Sequence, residues 1–70
     1  MDINTARQLV ARDTREQDES LAGLSDDEVL AQLAADGVDA AEVEEWARLD
    51  VVSGELLDAY RLVVGTQVDV

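Results

Sequence analysis

The sequence predicts an all-α fold, a small bundle of about four short helices organised around a helix, a turn and a second helix. Two helix starts support this prediction. Ser25 begins the first, with Glu28 three residues later, and Asp39 and Glu42 repeat the same spacing. In each pair a side-chain oxygen can accept from an early backbone N–H while the glutamate reaches back to the cap. Gly37 lies between the two starts, where a residue with positive φ can end a helix at no steric cost.

The N-terminal stretch 3–10 predicts the first helix, because it places four apolar side chains on one stripe: Ile3, Ala6, Leu9 and Val10. Either Asn4 or Thr5 is the expected N-cap. Residues 11–20 are polar on every face and are mostly acceptable helix formers. We expect the helix to continue through them as a solvated extension, with a loose connector as the alternative.

Three further helices complete the predicted bundle. They are expected over about residues 26–36, 40–49 and 54–63, the last with Ser53 as its cap. Their apolar stripes are expected to form the core: Val29, Leu30 and Leu33, then Val43 and Trp46, then Leu56, Leu57, Tyr60, Val63 and Val64. Gly65 is the expected end of the fourth helix, and the residues after it form a weakly alternating tail.

Seventy residues allow one domain, with residues 1–20 as a weakly basic N-terminal helix or arm, 24–64 as an acidic helical core and 65–70 as a tail. A core of this size supplies only ~3–5 kcal/mol of net stability, so a partner or self-association is a reasonable expectation. The chain has no cysteine and no histidine, which excludes disulfides and removes the commonest metal ligand and general base. We therefore predict no catalytic residue, no metal site and no cofactor, and expect a non-enzymatic protein.

Charge is the most informative part of the composition. The formal net charge of −12 is very high for 70 residues, and every cationic side chain is an arginine. Residues 16–60 hold fourteen acids against Arg48 alone, whereas residues 1–15 carry a small positive excess. Such a surface repels nucleic acid and anionic membranes. No apolar run reaches the ~18 residues of a membrane span and the N-terminus lacks a signal-peptide core, so a cytoplasmic protein is expected.

Residues 37–46 resemble the turn and second helix of Cro/repressor-type helix-turn-helix proteins. The shared pattern is a turn glycine, an aliphatic residue, a helix cap, a valine and a large apolar residue, which here are Gly37, Val38, Asp39, Val43 and Trp46. Upstream the chain departs from that pattern, with Asp36 where the family has an apolar residue and Leu33 where it has a small one. The resemblance implies a helix-turn-helix-like centre whose second helix would face DNA. In this sequence that helix is charge-inverted, because its outward positions carry glutamates rather than cations.

The predicted partner-binding residues are therefore acids: Asp39, Glu42, Glu44, Glu45, Asp26 and Asp27. The leading hypothesis is an acidic protein-interaction module, in its sharper form a small inhibitor or regulator of the phage-encoded, DNA-mimic type. Its partner would be a basic protein surface, including the nucleic-acid-binding site of a protein, with no direct binding to nucleic acid or to a membrane.

Two alternatives belong to other functional classes. A salt-adapted helix-turn-helix regulator could bind DNA at high ionic strength, where the repulsion between like charges is screened. A dimerising structural subunit could instead use the apolar stripe of residues 3–10 as its seam. The source organism would separate the regulator from the leading hypothesis, because a halophile favours the regulator and a phage favours the inhibitor.

Overall fold

The computed structural model of the protein describes residues 1–67, which form four α-helices and one short 3₁₀ helix, without a β-strand in this part of the chain. The elements are α1 (Ile3–Gln17), the 3₁₀ helix (Glu19–Leu21), α2 (Asp26–Ala35), α3 (Ala40–Arg48) and α4 (Gly54–Gln67). The predicted all-α bundle is confirmed. The second and third helices lie within one residue of their predicted bounds, because both are delimited by local capping signals in the sequence.

The pairing of α1 with α4 forms the centre of the bundle, with α2 packed against α1 and α3 packed against α4. The core draws on all four helices and on the α3–α4 connection: Ala6, Val10, Leu30, Val43, Val52, Ala59, Tyr60, Val63 and Val64. Ala6 and Val10 of the predicted N-terminal stripe are fully buried, and Ile3 and Leu9 pack against the core from its edge. The stripe therefore packs against other helices of the same chain.

Helix α1 begins earlier than the sequence indicated and buries more of its second half. Its N-cap is Asp2, whose Oδ1 accepts from the Thr5 N–H at 2.7 Å, so the prediction of Asn4 or Thr5 as the cap was wrong. The helix does continue through the polar stretch, as far as Gln17. That stretch is not solvated on every face, because Ala11 is fully buried. An alanine among charged neighbours gives too weak an apolar signal to mark a buried face.

Both helices of the central segment begin with the predicted caps. The Glu28 N–H donates to Ser25 Oγ at 3.2 Å and the Ser25 N–H donates to Glu28 Oε1 at 3.2 Å, which completes the capping box of α2. At the start of α3 the Glu42 N–H donates to Asp39 Oδ1 at 2.9 Å, but the predicted return bond, from the Asp39 N–H to the Glu42 side chain, is not formed. These bonds satisfy N–H groups that have no partner within the helix.

Helices α2 and α3 end in the same hydrogen-bonded motif, but with different residues at its left-handed position. In α2 that position is Gly37, at φ 85°, and the following Val38 N–H donates to the Leu33 carbonyl at 3.2 Å. In α3 it is Asp50, at φ 59°, and the Val51 N–H donates to a carbonyl one turn back at 3.0 Å. This is the Schellman arrangement, in which glycine is the usual residue because it has no Cβ.

We expect Asp50→Gly to raise the free energy of unfolding by about 0.5–1 kcal/mol, because relief of left-handed strain exceeds the added entropy of glycine in the unfolded chain. The reverse exchange, Gly37→Asp, should lower it by about 1–2 kcal/mol. Urea denaturation monitored by circular dichroism measures both. Asp50→Asn is the control for charge, because it removes the carboxylate and keeps the Cβ. If the asparagine variant gains as much stability as the glycine variant, the gain comes from charge and the strain argument fails.

Gly65 does not end the fourth helix, which corrects the sequence prediction. Helix α4 continues through Gly65 to Gln67, so the first residues of the predicted tail are helical, and residues 68–70 lie outside the described part. The helix persists because Val63 and Val64 are anchored in the core just before the glycine. Gly65 is exposed, lacks a positive φ, and has no atom within 4 Å of the place where a Cβ would stand.

Gly65→Ala should therefore raise the free energy of unfolding by about 0.5–1 kcal/mol, because alanine loses less backbone entropy than glycine when a helix forms. Denaturant titration against the unaltered protein measures this gain. Ala31→Gly is the reciprocal control, since Ala31 is exposed within α2, and it should cost a similar amount. A loss of stability in Gly65→Ala would mean that the helix ends before this residue in solution.

Candidate interaction surface

The six acids predicted to bind a partner all lie at the surface, on the first turn of α2 and along α3. Asp26 is half-buried and the other five are exposed. On α3, Val43 is fully buried and Trp46 is half-buried against the core. The glutamates of α3 occupy the remaining faces of the helix and therefore point toward solvent.

Four of these six acids form ion pairs with arginines of the same chain. The Arg61 guanidinium donates two hydrogen bonds of 2.8 Å to the Glu44 carboxylate, which is a two-point contact between helices α4 and α3. The other three pairs are Arg48 with Glu45, Arg15 with Asp26 and Arg7 with Asp27. The pairs between helices could not be predicted from the sequence, because an ion pair between distant residues depends on which helices are neighbours.

The Arg61–Glu44 pair changes the titration of both side chains. The hydrogen bond from Arg61 lowers the pKa of the Glu44 carboxyl, and the same bond raises the pKa of Arg61. Both side chains are about half-exposed, so solvent screens the attraction and the pair fixes geometry more than it adds stability. The consequence is that these two charges are largely neutralised toward an approaching partner.

Three exposed acids without an arginine partner lie at the end of α2 and in the first turn of α3. Within the described residues, Asp36, Asp39 and Glu42 are exposed and form no ion pair with an arginine. Asp39 is fixed as the cap of α3, and Asp36 accepts a hydrogen bond from the Gln32 side chain at 3.1 Å. We name this set, Asp36, Asp39 and Glu42, the turn acids. Asp36 was not among the predicted site residues, although its place between two helices was visible in the sequence.

Two polar residues of α1 that the sequence left without a role form contacts between helices. The Tyr60 hydroxyl donates to Asp13 Oδ2 at 2.7 Å, which joins α4 to α1. The Arg15 guanidinium reaches the Leu24 carbonyl at 3.0 Å and also pairs with Asp26 at the start of α2. The available signal was helical spacing, because Asp13 lies three residues beyond Val10 on the buried stripe.

The Tyr60 side chain is almost completely buried, with 3% of its surface exposed. Its ring meets the Trp46 ring edge-on, with centroids 5.4 Å apart and planes at 88°. Burial raises the pKa of the Tyr60 hydroxyl far above its ordinary value, and the neighbouring Asp13 carboxylate raises it further. The folded protein therefore keeps this hydroxyl protonated under conditions where the unfolded chain ionises it.

Alkaline pH should consequently unfold the protein through a single group. The chain has no lysine, no cysteine and no second tyrosine. Because the folded pKa is raised, the contribution of Tyr60 to stability is complete below pH ~10 and is lost as the pH rises, with a slope approaching ~1.4 kcal/mol per pH unit. Tyr60→Phe should abolish this slope and cost about 1 kcal/mol at neutral pH through the lost hydrogen bond. Urea denaturation at several pH values measures both, and an equal slope in the two proteins would contradict the assignment.

Among the described residues, no charged side chain is buried, and no group of three acids is placed so that it could hold a metal ion. Arg12, the remaining arginine, borders an open groove beside Glu16 and Glu55, which gives that groove mixed charge. In the same part of the chain, no helix combines the length and the apolar character needed to cross a membrane.

Comparisons with protein-family models, with curated proteins and with solved structures find no match for this chain. The helix-turn-helix resemblance therefore rests on residues 37–46 alone. A functional interpretation must start from the charges and the exposed surface of the chain itself.

Proposed function

We propose that this protein is a non-enzymatic interaction module that binds a basic surface of a partner protein. The turn acids are the observation that carries the proposal. They present three carboxylates without arginine partners at the end of α2 and the start of α3, while four of the five arginines are engaged by acids elsewhere in the chain. A cationic surface is the complement of such a face, and complementary charge accelerates association and selects the partner.

In its sharper form, the proposal makes the partner a nucleic-acid-binding protein and makes this chain its inhibitor, of the DNA-mimic type found in phages. A protein that binds a phosphate backbone carries arranged cations in a groove or on a face. Carboxylates fixed at helix ends can compete for those cations with little loss of side-chain freedom. Asp39 is such a group, because its cap hydrogen bond fixes its orientation.

The two alternative functions receive less support from the described residues. A DNA-binding regulator needs cations near its recognition helix, but Arg48 and Arg61, the arginines nearest to α3, are paired with Glu45 and Glu44. A dimer that used the stripe of residues 3–10 as its seam would need that stripe exposed. Ala6 and Val10 of the stripe are instead fully buried within the monomer.

The proposal predicts that binding depends on the turn acids rather than on total charge. Asp36→Asn, Asp39→Asn and Glu42→Gln together remove three charges, and asparagine remains a good N-cap at residue 39. Partners captured from the native host by the unaltered protein should associate about tenfold more slowly with this variant at low salt. The difference should shrink as salt is raised, because screening weakens long-range attraction. Surface plasmon resonance across a salt series measures both effects.

The matched control removes the same number of charges elsewhere, by Glu16→Gln, Glu19→Gln and Glu55→Gln on α1, the 3₁₀ helix and α4. It should associate nearly as fast as the unaltered protein. Equal slowing in both variants would show that only bulk charge matters and would contradict a defined face. Competition with double-stranded DNA for the captured partner tests the inhibitor form. Direct binding of this protein to DNA, strengthened by removal of the turn acids, would favour the regulator instead.

A further inference from the structure

The connection between α3 and α4 exposes two large aliphatic side chains within three residues. Leu49 is 61% exposed and Val51 is 67% exposed. In the described part of the chain, Met1 is the one other large hydrophobic residue exposed to a comparable degree. Single exposed aliphatic residues are ordinary, but here two belong to one short connection, and we call this pair the apolar patch.

The patch is held in a fixed conformation. The Leu49 N–H donates to the Glu45 carbonyl at 3.0 Å, and the Asp50 and Val51 N–H groups donate to carbonyls of the last turn of α3 at 3.1 and 3.0 Å. The next residue, Val52, is buried in the core. Both exposed side chains therefore stand on a backbone that is anchored on either side, so binding them costs little ordering entropy.

A small cleft lies beside the patch. It is lined by Gln17, Trp46, Val51, Val52 and Tyr60 and has a volume of about 170 Å³. Trp46 is half-buried, so part of its ring is available to a neighbouring molecule. Val51 therefore belongs both to the exposed pair and to a cleft that contains the two aromatic residues, and exposed aromatic and apolar side chains of this kind are typical of the centre of a protein interface.

Charge decides which molecule can cover this patch. Asp50 lies between the two aliphatic residues and Glu55 lies in the first turn of α4. A second copy of the chain would bring a net charge of −12 against another −12, so self-association through this face is opposed. The complementary occupant is an apolar surface of a partner protein that is bordered by lysine or arginine side chains.

We propose that Leu49 and Val51 form an apolar anchor that packs against such a surface of the partner. The inference rests on the proposed function, because it takes the partner to be basic, and deepens it by adding an apolar contact to the charged one. The carboxylates of the turn acids accelerate association with the basic partner, and the apolar anchor slows dissociation of the complex.

Two synthetic peptides of equal charge separate the apolar contact from the charged one. The first is a helical peptide of lysine and leucine with leucine on one face, and the second replaces every leucine by glutamine. The unaltered protein should bind the leucine peptide at least about tenfold more tightly in calorimetry. Leu49→Ser with Val51→Ser should remove this preference and leave binding of the glutamine peptide unchanged. Ala31→Ser with Ala34→Ser, at exposed positions of α2, is the control and should keep the preference.

Other results with the two peptides would contradict the apolar anchor or the proposed function. If the protein binds both peptides equally, the apolar anchor is overturned while the basic-partner proposal stands. If it binds neither peptide, the proposed function itself fails. If the control variant loses the preference as fully as Leu49→Ser with Val51→Ser, the leucine face binds elsewhere and the anchor is overturned. Light scattering of the protein alone completes the test. If the protein is a dimer and Leu49→Ser with Val51→Ser makes it monomeric, the occupant of the patch is a second copy of the chain and the proposal is overturned.

Discussion

Tyr60 occupies the point at which helices α1, α3 and α4 meet. Its ring packs in the core and against Trp46, and its hydroxyl donates to Asp13. In a 70-residue chain with so small a core, few side chains can contact three helices at once. The α1–α4 pair then supports the other two helices, with α2 on one member and α3 on the other. A buried aromatic with a satisfied polar end is suited to this position, because it adds a large apolar area without leaving a hydroxyl unpaired.

The acidic composition imposes a second constraint, because carboxylates on neighbouring helices repel one another. The positions of the arginines reduce this repulsion. In the described part of the chain, three of the four hydrogen-bonded ion pairs join neighbouring helices: Arg7 and Arg15 of α1 reach α2, and Arg61 of α4 reaches α3. They lie where helices are packed together and where carboxylates would otherwise repel one another. The α2–α3 turn receives no such arginine in the described part of the chain. The carboxylates of this turn therefore remain without arginine partners because the arginines that join neighbouring helices lie at the other helix contacts.

Local signals in the sequence predicted most of the fold. The caps Ser25 and Asp39 stand directly before α2 and α3, and Glu28 lies in the first turn of α2. The starts of both helices could therefore be predicted from the spacing of these residues. Gly65 misled the prediction because a glycine ends a helix only when tertiary packing does not extend it, and Val63 and Val64 do extend it here. The pairing of acids with arginines could not be predicted, because it depends on which helices are neighbours. The exposure of Leu49 and Val51 could not be predicted for the same reason, since burial of an aliphatic residue beside a helix end depends on which element packs over it.

The edge-on contact between Trp46 and Tyr60 gives the protein an internal optical reporter. The chain contains one tryptophan, one tyrosine and no phenylalanine, so its near-ultraviolet absorption and emission come from a single place. At a centroid separation of 5.4 Å, excitation absorbed by the phenol passes efficiently to the indole. Loss of that transfer signals separation of α3 from α4. A shift in the indole emission signals a change of solvent at the cleft beside Val51. Opening of the bundle and occupation of its surface are thus spectroscopically distinct in the unlabelled molecule.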